Sequence, residues 1–271
     1  MVGPCETVGV TAAEQEEGAP LTAAGKVLAV LATFGRERSG QSLTQISRRT
    51  GLALSTTHRI VTELAAWGAL ERTADGNWHI GLRLWELGTS SPRGQLLREV
   101  ALPFMQDLYE RTHENVQLAV REGTELVFVE RIAGHHSVEL VRRVAARFPL
   151  AATGMGRVLL AFSPSEIQEA VLAEPLHPST KYTVTDPEDL RRELAMIRRE
   201  HHAVSDRQLN EGTVAIAAPV RIGPSGPVHA VLGIVLAASR GGVVRHLRDP
   251  LLHAARGISV ELGRRAGERQ V

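Results

Sequence analysis

The run from Ser42 to Ile80 constrains this chain more than any other stretch. Ser42-Leu43-Thr44-Gln45 has the spacing of a capping box, in which the serine oxygen accepts from the amide three residues on and the glutamine side chain reaches back. The helix it opens puts Leu43 and Ile46 on its buried face. It stops at Gly51, a residue free to enter the left-handed conformation that ends helices. A second helix is expected from about Ser55 to Trp67, with Thr57, Ile60, Val61 and Leu64 turned inward. Two short helices around a glycine turn fit a helix-turn-helix and an ordinary helical hairpin equally well. The next dozen residues separate the two. Ala69-Leu70-Glu71-Arg72 and Asn77-Trp78-His79-Ile80 are extended runs flanking Thr73-Ala74-Asp75-Gly76, and Asp-Gly between such runs marks a β-hairpin. A hairpin directly after such a helix pair is a wing.

With 271 residues the chain suits two domains. Residues 1–20 are acidic, with Glu6, Glu14, Glu16 and Glu17 and no lysine or arginine, and read as a flexible tail. From Leu21 a helix is expected, with Val27, Leu28, Val30, Leu31 and Phe34 as its apolar stripe. Helices at Leu82–Leu87 and Gln95–Glu110, broken near Gly88–Gly94, form the connection. Beyond it come strands at Val116–Val120, Leu126–Arg131 and Val138–Val141. Ser163-Pro164-Ser165-Glu166 reads as a helix start, with a serine cap, proline at the first position and glutamate at the third. Asp186-Pro187 opens another helix, to about Glu200, with Leu190, Leu194 and Ile197 inward. Val214–Val220 and Val228–Leu236 are apolar strands around a Gly223–Pro227 turn, and a last helix fills His246–Arg264. The expected fold class is α+β, with a winged helix-turn-helix at 21–85, a linker at 86–98 and a mixed α/β domain at 99–265.

Net charge is +1, but its distribution says more. Between Leu21 and Gly88, Lys26, Arg36, Arg38, Arg48, Arg49, Arg59, Arg72 and Arg83 outnumber the acids, as in a segment that faces phosphates. Arg48 and Arg49 read as a solvated helix face. Cys5 is the single cysteine, which excludes an intrachain disulfide and a cysteine metal cage. No stretch approaches the roughly 18 apolar residues of a membrane span, and the N-terminus lacks a signal pattern, so a cytoplasmic location is expected. Neither Gly-x-Ser-x-Gly nor His-Glu-x-x-His occurs, and the cysteine lies in the tail, so no enzyme is expected. The pairs His135-His136 and His201-His202 diverge on any regular element and read as structural or solvated, without metal. No cofactor is implied.

Several stretches together resemble the IclR-type transcriptional regulators. Gly51-Leu52-Ala53-Leu54-Ser55-Thr56-Thr57-His58-Arg59 is similar to that family's helix-turn-helix, and Trp78 through Gly88 to the end of its wing. Pro149 through Phe162 resembles its central loop and helix, and Gly212 through Val220 and Ile258 through Gly263 fit as well. The resemblance spans about Leu21 to Arg265. It implies a winged helix-turn-helix joined by a linker helix to a GAF-like effector domain, acting as a homodimer or dimer of dimers on double-stranded, palindromic operator DNA. An architectural DNA-binding protein without a ligand is the alternative.

Outward positions of the second helix are Ser55, Thr56, Arg59 and Thr62, with His58 near the boundary. Short hydroxyls and an arginine suit a major groove about 12 Å wide. Arg59 either binds guanine bidentately or clamps a phosphate; Thr62 and His58 also fit a solvated surface and a satisfied side chain. Arg72, Thr73 and Asn77 on the wing would follow the backbone or minor groove. For the effector, Gly154 and Met155 open an apolar helix whose free amides and dipole favour a carboxylate, though a tight turn for close packing explains the glycines too. The resemblance places effectors against backbone at those two residues. Where relatives that bind small polar acids carry an acid, a cysteine and two serines, Ser205, Ala215, Gly233 and Val235 align, while Ala151 and Gln208 replace a usual histidine and glutamate. Loss of these polar partners implies a larger, more apolar effector, such as an aromatic acid or acyl compound. Phe128 and Leu140 would wall it, or are plain core.

Overall fold

A computed structural model of the chain describes residues 21–36, 40–89, 92–133 and 146–268. They fall into two compact units, divided between Ser91 and Pro92. The acidic tail, the strand expected at Val138–Val141, Leu140 and His135-His136 lie outside the described residues.

The first unit begins with α1 (Ala23–Ala32), capped by Thr22, whose side chain accepts from the Gly25 amide. Its inner face is Val27, Val30 and Leu31, continued by Phe34 in the 3-10 turn that follows. Leu28, expected in that stripe, is 65% exposed. It lies about 100° round the helix from Val27 and so misses the core. Then come α2 (Leu43–Thr50) and α3 (Leu54–Trp67). Both capping-box bonds are present: Ser42 Oγ accepts from Gln45 N at 3.3 Å, and Gln45 Oε1 accepts from Ser42 N at 2.8 Å. Gly51 ends α2 at φ 69°. Ile46, Thr57, Ile60 and Val61 are buried, so the predicted inner face holds. The wing is β1 (Leu70–Arg72) paired antiparallel with β2 (Trp78–Ile80). Gln41, fully buried, bridges to Trp78 and receives the Arg49 guanidinium on its side-chain oxygen. Arg49 therefore braces the wing rather than forming only a solvated face. The unit ends in α4 (Leu82–Thr89).

The second unit opens with α5 (Pro92–Thr112) and contains one antiparallel sheet, in spatial order β5-β4-β3-β8-β7-β6. Its strands are β3 (Asn115–Glu122), β4 (Glu125–Ile132), β5 (Arg147–Pro149), β6 (Ala203–Asp206), β7 (Thr213–Arg221) and β8 (Val228–Ala237). On one face, Val116, Leu118, Ile216, Leu232 and Ile234 pack against α5 and α9 (Val244–Glu268). On the other, Ala119, Phe128, Ala203, Ala217 and Val231 meet α6 (Gly154–Ala161), α7 (Ser165–Ala173) and α8 (Pro187–Glu200). A sheet covered on both faces explains why β7 and β8 read as continuous apolar runs. Asp186 caps α8 by accepting from the Glu188 and Asp189 amides. The serine cap expected at Ser163 is not formed. Pro164, in an extended conformation, occupies the cap position of α7, and Ser163 Oγ donates to the Leu159 carbonyl instead at 2.8 Å. Among the described residues, no helix is long and apolar enough to cross a membrane.

Candidate nucleic-acid interface and effector site

On α3 the buried Thr57, Ile60 and Val61 turn the opposite side of the helix to water. Ser55, His58, Arg59 and Thr62 are exposed, and Thr56 is half-buried at the edge. The cap position is Ala53, and no side chain satisfies the first amides of the helix. Those donors, at the positive end of the dipole, are open to an anion. Arg59 contacts Glu63 one turn on at 3.1 Å, with both side chains more than 60% exposed. An exposed pair at this spacing is worth about 0.3–0.5 kcal/mol, too little to hold Arg59 back from a phosphate. Thr62 Oγ1 donates to the His58 carbonyl at 2.8 Å.

The wing differs from its simple reading. Thr73 Oγ1 donates to Asp75, and Asn77 Nδ2 donates to the other Asp75 oxygen at 2.7 Å. These bonds, that from Thr73 first, hold the Asp75 carboxyl below the usual carboxylate range. Thr73 and Asn77 thus build the turn. Arg72 is exposed, lies 5.6 Å from the Trp78 ring, and donates to the Gly76 carbonyl at 3.2 Å.

In the second unit the register gathers the effector candidates. Ser205 pairs with Ala215, Ala215 with Val235, and Val235 with Asn115, making one row across four strands. Gly233 lies in the neighbouring row, between Ala217 and Gln117. Over these rows runs the start of α6. A Cβ on Gly154 would come 2.9 Å from Ser205 Cβ, and one on Gly233 would come 2.8 Å from Met155 Sδ. Close packing therefore uses both glycines, with the flexible Met155 side chain as the neighbour at Gly233. A Cβ on Gly156 would meet the Leu150 carbonyl oxygen at 2.2 Å, so that glycine serves the turn. Thr153 Oγ1 caps α6 by accepting from Gly156 N at 2.8 Å. Phe128 stands apart, paired with Ala119 and packed edge-on to Phe148 at 6.0 Å, as core. Two surface hollows, of 580 and 310 Å³, lie elsewhere. The larger is lined by Val204 and Val214, on the face of the sheet opposite Ser205 and Ala215.

Sequence reasoning does not find the buried polar groups here. Arg157, fully buried, donates through Nε to Glu193 Oε1 at 2.8 Å, through Nη1 to the Ala151 carbonyl at 3.0 Å, and through Nη2 to Gln208. Burial lowers its pKa from the ordinary value, and the Glu193 carboxylate opposes that shift. Gln208 is thus committed to Arg157. Arg131 Nη2 donates to Asn115 Oδ1 at 3.1 Å. Asn115 and Gln117 alternate with apolar neighbours and so resemble a solvent face. The continuous apolar runs of β7 and β8 are the available signal that this face is covered. His201 stacks on Phe162 at 6.0 Å, and His202 Nδ1 lies 3.0 Å from the Glu200 carbonyl. Among the described residues, no cluster of three histidine, cysteine, aspartate or glutamate side chains could hold a metal.

A family model described as the bacterial transcriptional regulator IclR C-terminal domain matches residues 93–260, and the IclR helix-turn-helix model matches residues 23–74. The chain belongs to the IclR family. KipR, an HTH-type transcriptional regulator of Bacillus subtilis, is 34% identical over 72% of this chain and 78% of its own length. BhcR of Paracoccus denitrificans is 31% identical over 85% of each protein. Among solved structures, an IclR homologue from Microbacterium hydrocarbonoxydans, complexed with 4-hydroxybenzoate, is 39% identical. The likeness covers 88% of this chain and 97% of that one, with a TM-score of 0.82. The protein is thus an IclR-family transcription regulator, with an N-terminal DNA-binding helix-turn-helix and a C-terminal mixed α/β effector domain.

Proposed function

We propose that this IclR-family regulator binds a palindromic operator as a homodimer in the cytoplasm, and that an aromatic acid modulates the binding. The observation that carries the DNA half is the face of α3, where Ser55, Arg59 and Thr62 stand in water over a buried Thr57–Ile60–Val61 face. Ser55, Thr56 and Arg59 enter the major groove, His58 and Thr62 flank them, and Arg72 follows the backbone. Thr73 and Asn77 shape the wing that carries Arg72. Two copies set about 34 Å apart read the two half-sites. In support of a second copy, α4 leaves Leu82, Trp85 and Leu87 more than half exposed, apolar surface that self-association covers.

The effector half rests on the rows under α6. Ala215, Gly233 and Val235 offer no polar side chain beside Ser205, Asn115 and Gln117, so a small polyhydroxy acid would leave several of its groups unsatisfied there, at about 1–3 kcal/mol each. An aromatic ring suits that floor, with its carboxylate at the Gly154 and Met155 amides. The 4-hydroxybenzoate complex of the Microbacterium homologue supports this class. The ligand acts by binding two arrangements of the DNA readers unequally.

The test is fluorescence anisotropy of the protein on DNA from upstream of its own gene, with and without 4-hydroxybenzoate. Binding that responds to salt and shifts about 5-fold or more with the acid is expected. DNA affinity indifferent to every aromatic acid tried contradicts the effector half.

A further inference from the structure

The rows beneath α6 hold a little-exposed polar side chain that makes no hydrogen bond among the described residues. Gln117 sits in the middle of β3, paired with Gly233 on one side and Arg131 on the other. Its neighbours Val116 and Leu118 point into the core formed with α5 and α9, so Gln117 points to the α6 side. It is 3% exposed. Among the described residues, its amide makes no hydrogen bond, whereas Asn115 two residues before it receives Arg131 at 3.1 Å. A side-chain amide so little exposed and without a hydrogen-bond partner among the described residues is uncommon in native proteins. The residue across from it is glycine, and the thioether of Met155 fills the space a side chain would take there. Gln117 therefore lies on the α6 side of the sheet, beside the Gly233 row that Met155 of α6 covers.

From this geometry we infer that Gln117 is the side chain that reads a hydrogen-bonding group on the effector, away from its carboxylate. The inference rests on the aromatic-acid reading above and names what that reading leaves open: the effector is a ring-hydroxylated aromatic acid rather than an unsubstituted one. An amide both donates and accepts, so it serves a phenol in either role. The site then rejects a ring that lacks the hydroxyl, because the amide stays unsatisfied beneath it.

The experiment compares benzoate with 4-hydroxybenzoate by calorimetry and by thermal shift, on the wild type and on Gln117→Met, which keeps the length of the side chain and removes its polar atoms. Gln117→Leu is the second variant. The wild type is expected to prefer 4-hydroxybenzoate about tenfold, the worth of one good hydrogen bond. Both variants are expected to fall below about threefold, to keep their affinity for benzoate, and to melt no lower than the wild type without ligand. A role confined to packing would lower that melting point and leave the preference in place. A preference retained by both variants overturns the inference and leaves the aromatic-acid reading standing. If the wild type binds neither acid, the aromatic-acid reading fails, and this inference with it.

Discussion

Replacing Arg59 with glutamate is expected to weaken operator binding by at least about 30-fold at physiological salt, with no loss of stability. Roughly 1 kcal/mol per copy is the least that one arginine contact contributes, and a dimer doubles it. Folding is unaffected because Arg59 is exposed and its pair with Glu63 is a surface contact. The two roles open to Arg59 separate in the same assay. If it clamps phosphate, Arg59→Ala lowers the salt slope by about 0.9 per copy, and Arg59→Lys restores most of the affinity. If it reads guanine, lysine does not restore discrimination, because it lacks the planar two-pronged donor. Equal affinity of wild type and Arg59→Glu in an anisotropy titration would remove α3 from the interface.

The second large effect lies under α6. Glu193→Ala strands the Arg157 guanidinium, whose side chain is 0% exposed, with only the Ala151 carbonyl and Gln208 as partners. Removing one member of a buried pair costs about 3–5 kcal/mol. At roughly 2–4 °C per kcal/mol for a protein of this size, the melting point falls by roughly 6–20 °C. The double variant Arg157→Met with Glu193→Ala is expected to recover most of that loss, since removing both charges leaves no orphan. A melting point within about 2–3 °C of wild type for Glu193→Ala alone would mean that water or rearrangement satisfies the guanidinium.

How much was legible in the sequence depends on the range of the interactions. The capping box at Ser42, the left-handed Gly51, the Asp75-Gly76 hairpin and the Asp186 cap each depend on residues within a few positions of one another, and all four are present. Helical spacing alone gives the inner face of α3. Arg157 escapes such reasoning because Glu193 is 36 positions away, and nothing local marks a buried arginine. The short edge strands β5 and β6 escape it too, because pairing with longer neighbours defines them, not their own pattern. Ser163 misleads because a serine before proline fits a cap, yet its hydroxyl finds a carbonyl in the preceding helix. For the candidate site, the register puts Ser205, Ala215 and Val235 in one row with Gly233 in the next, and the start of α6 sets Gly154 and Met155 against them. Gln117 and Asn115, which read as the polar half of an alternating strand, lie in the same layer.

Most depends on α3 lying in the groove with Ser55 toward the bases. Because Cys5 is the single cysteine, a Cys5→Ser background with Ser55→Cys allows one DNA-cleaving iron chelate to be attached at that position. Bound to its operator, the conjugate is expected to cut the duplex at two symmetric places about one helical turn apart. A conjugate that binds the operator but cuts nothing, while one placed at exposed Glu188 on α8 cuts efficiently, would contradict a DNA-reading α3.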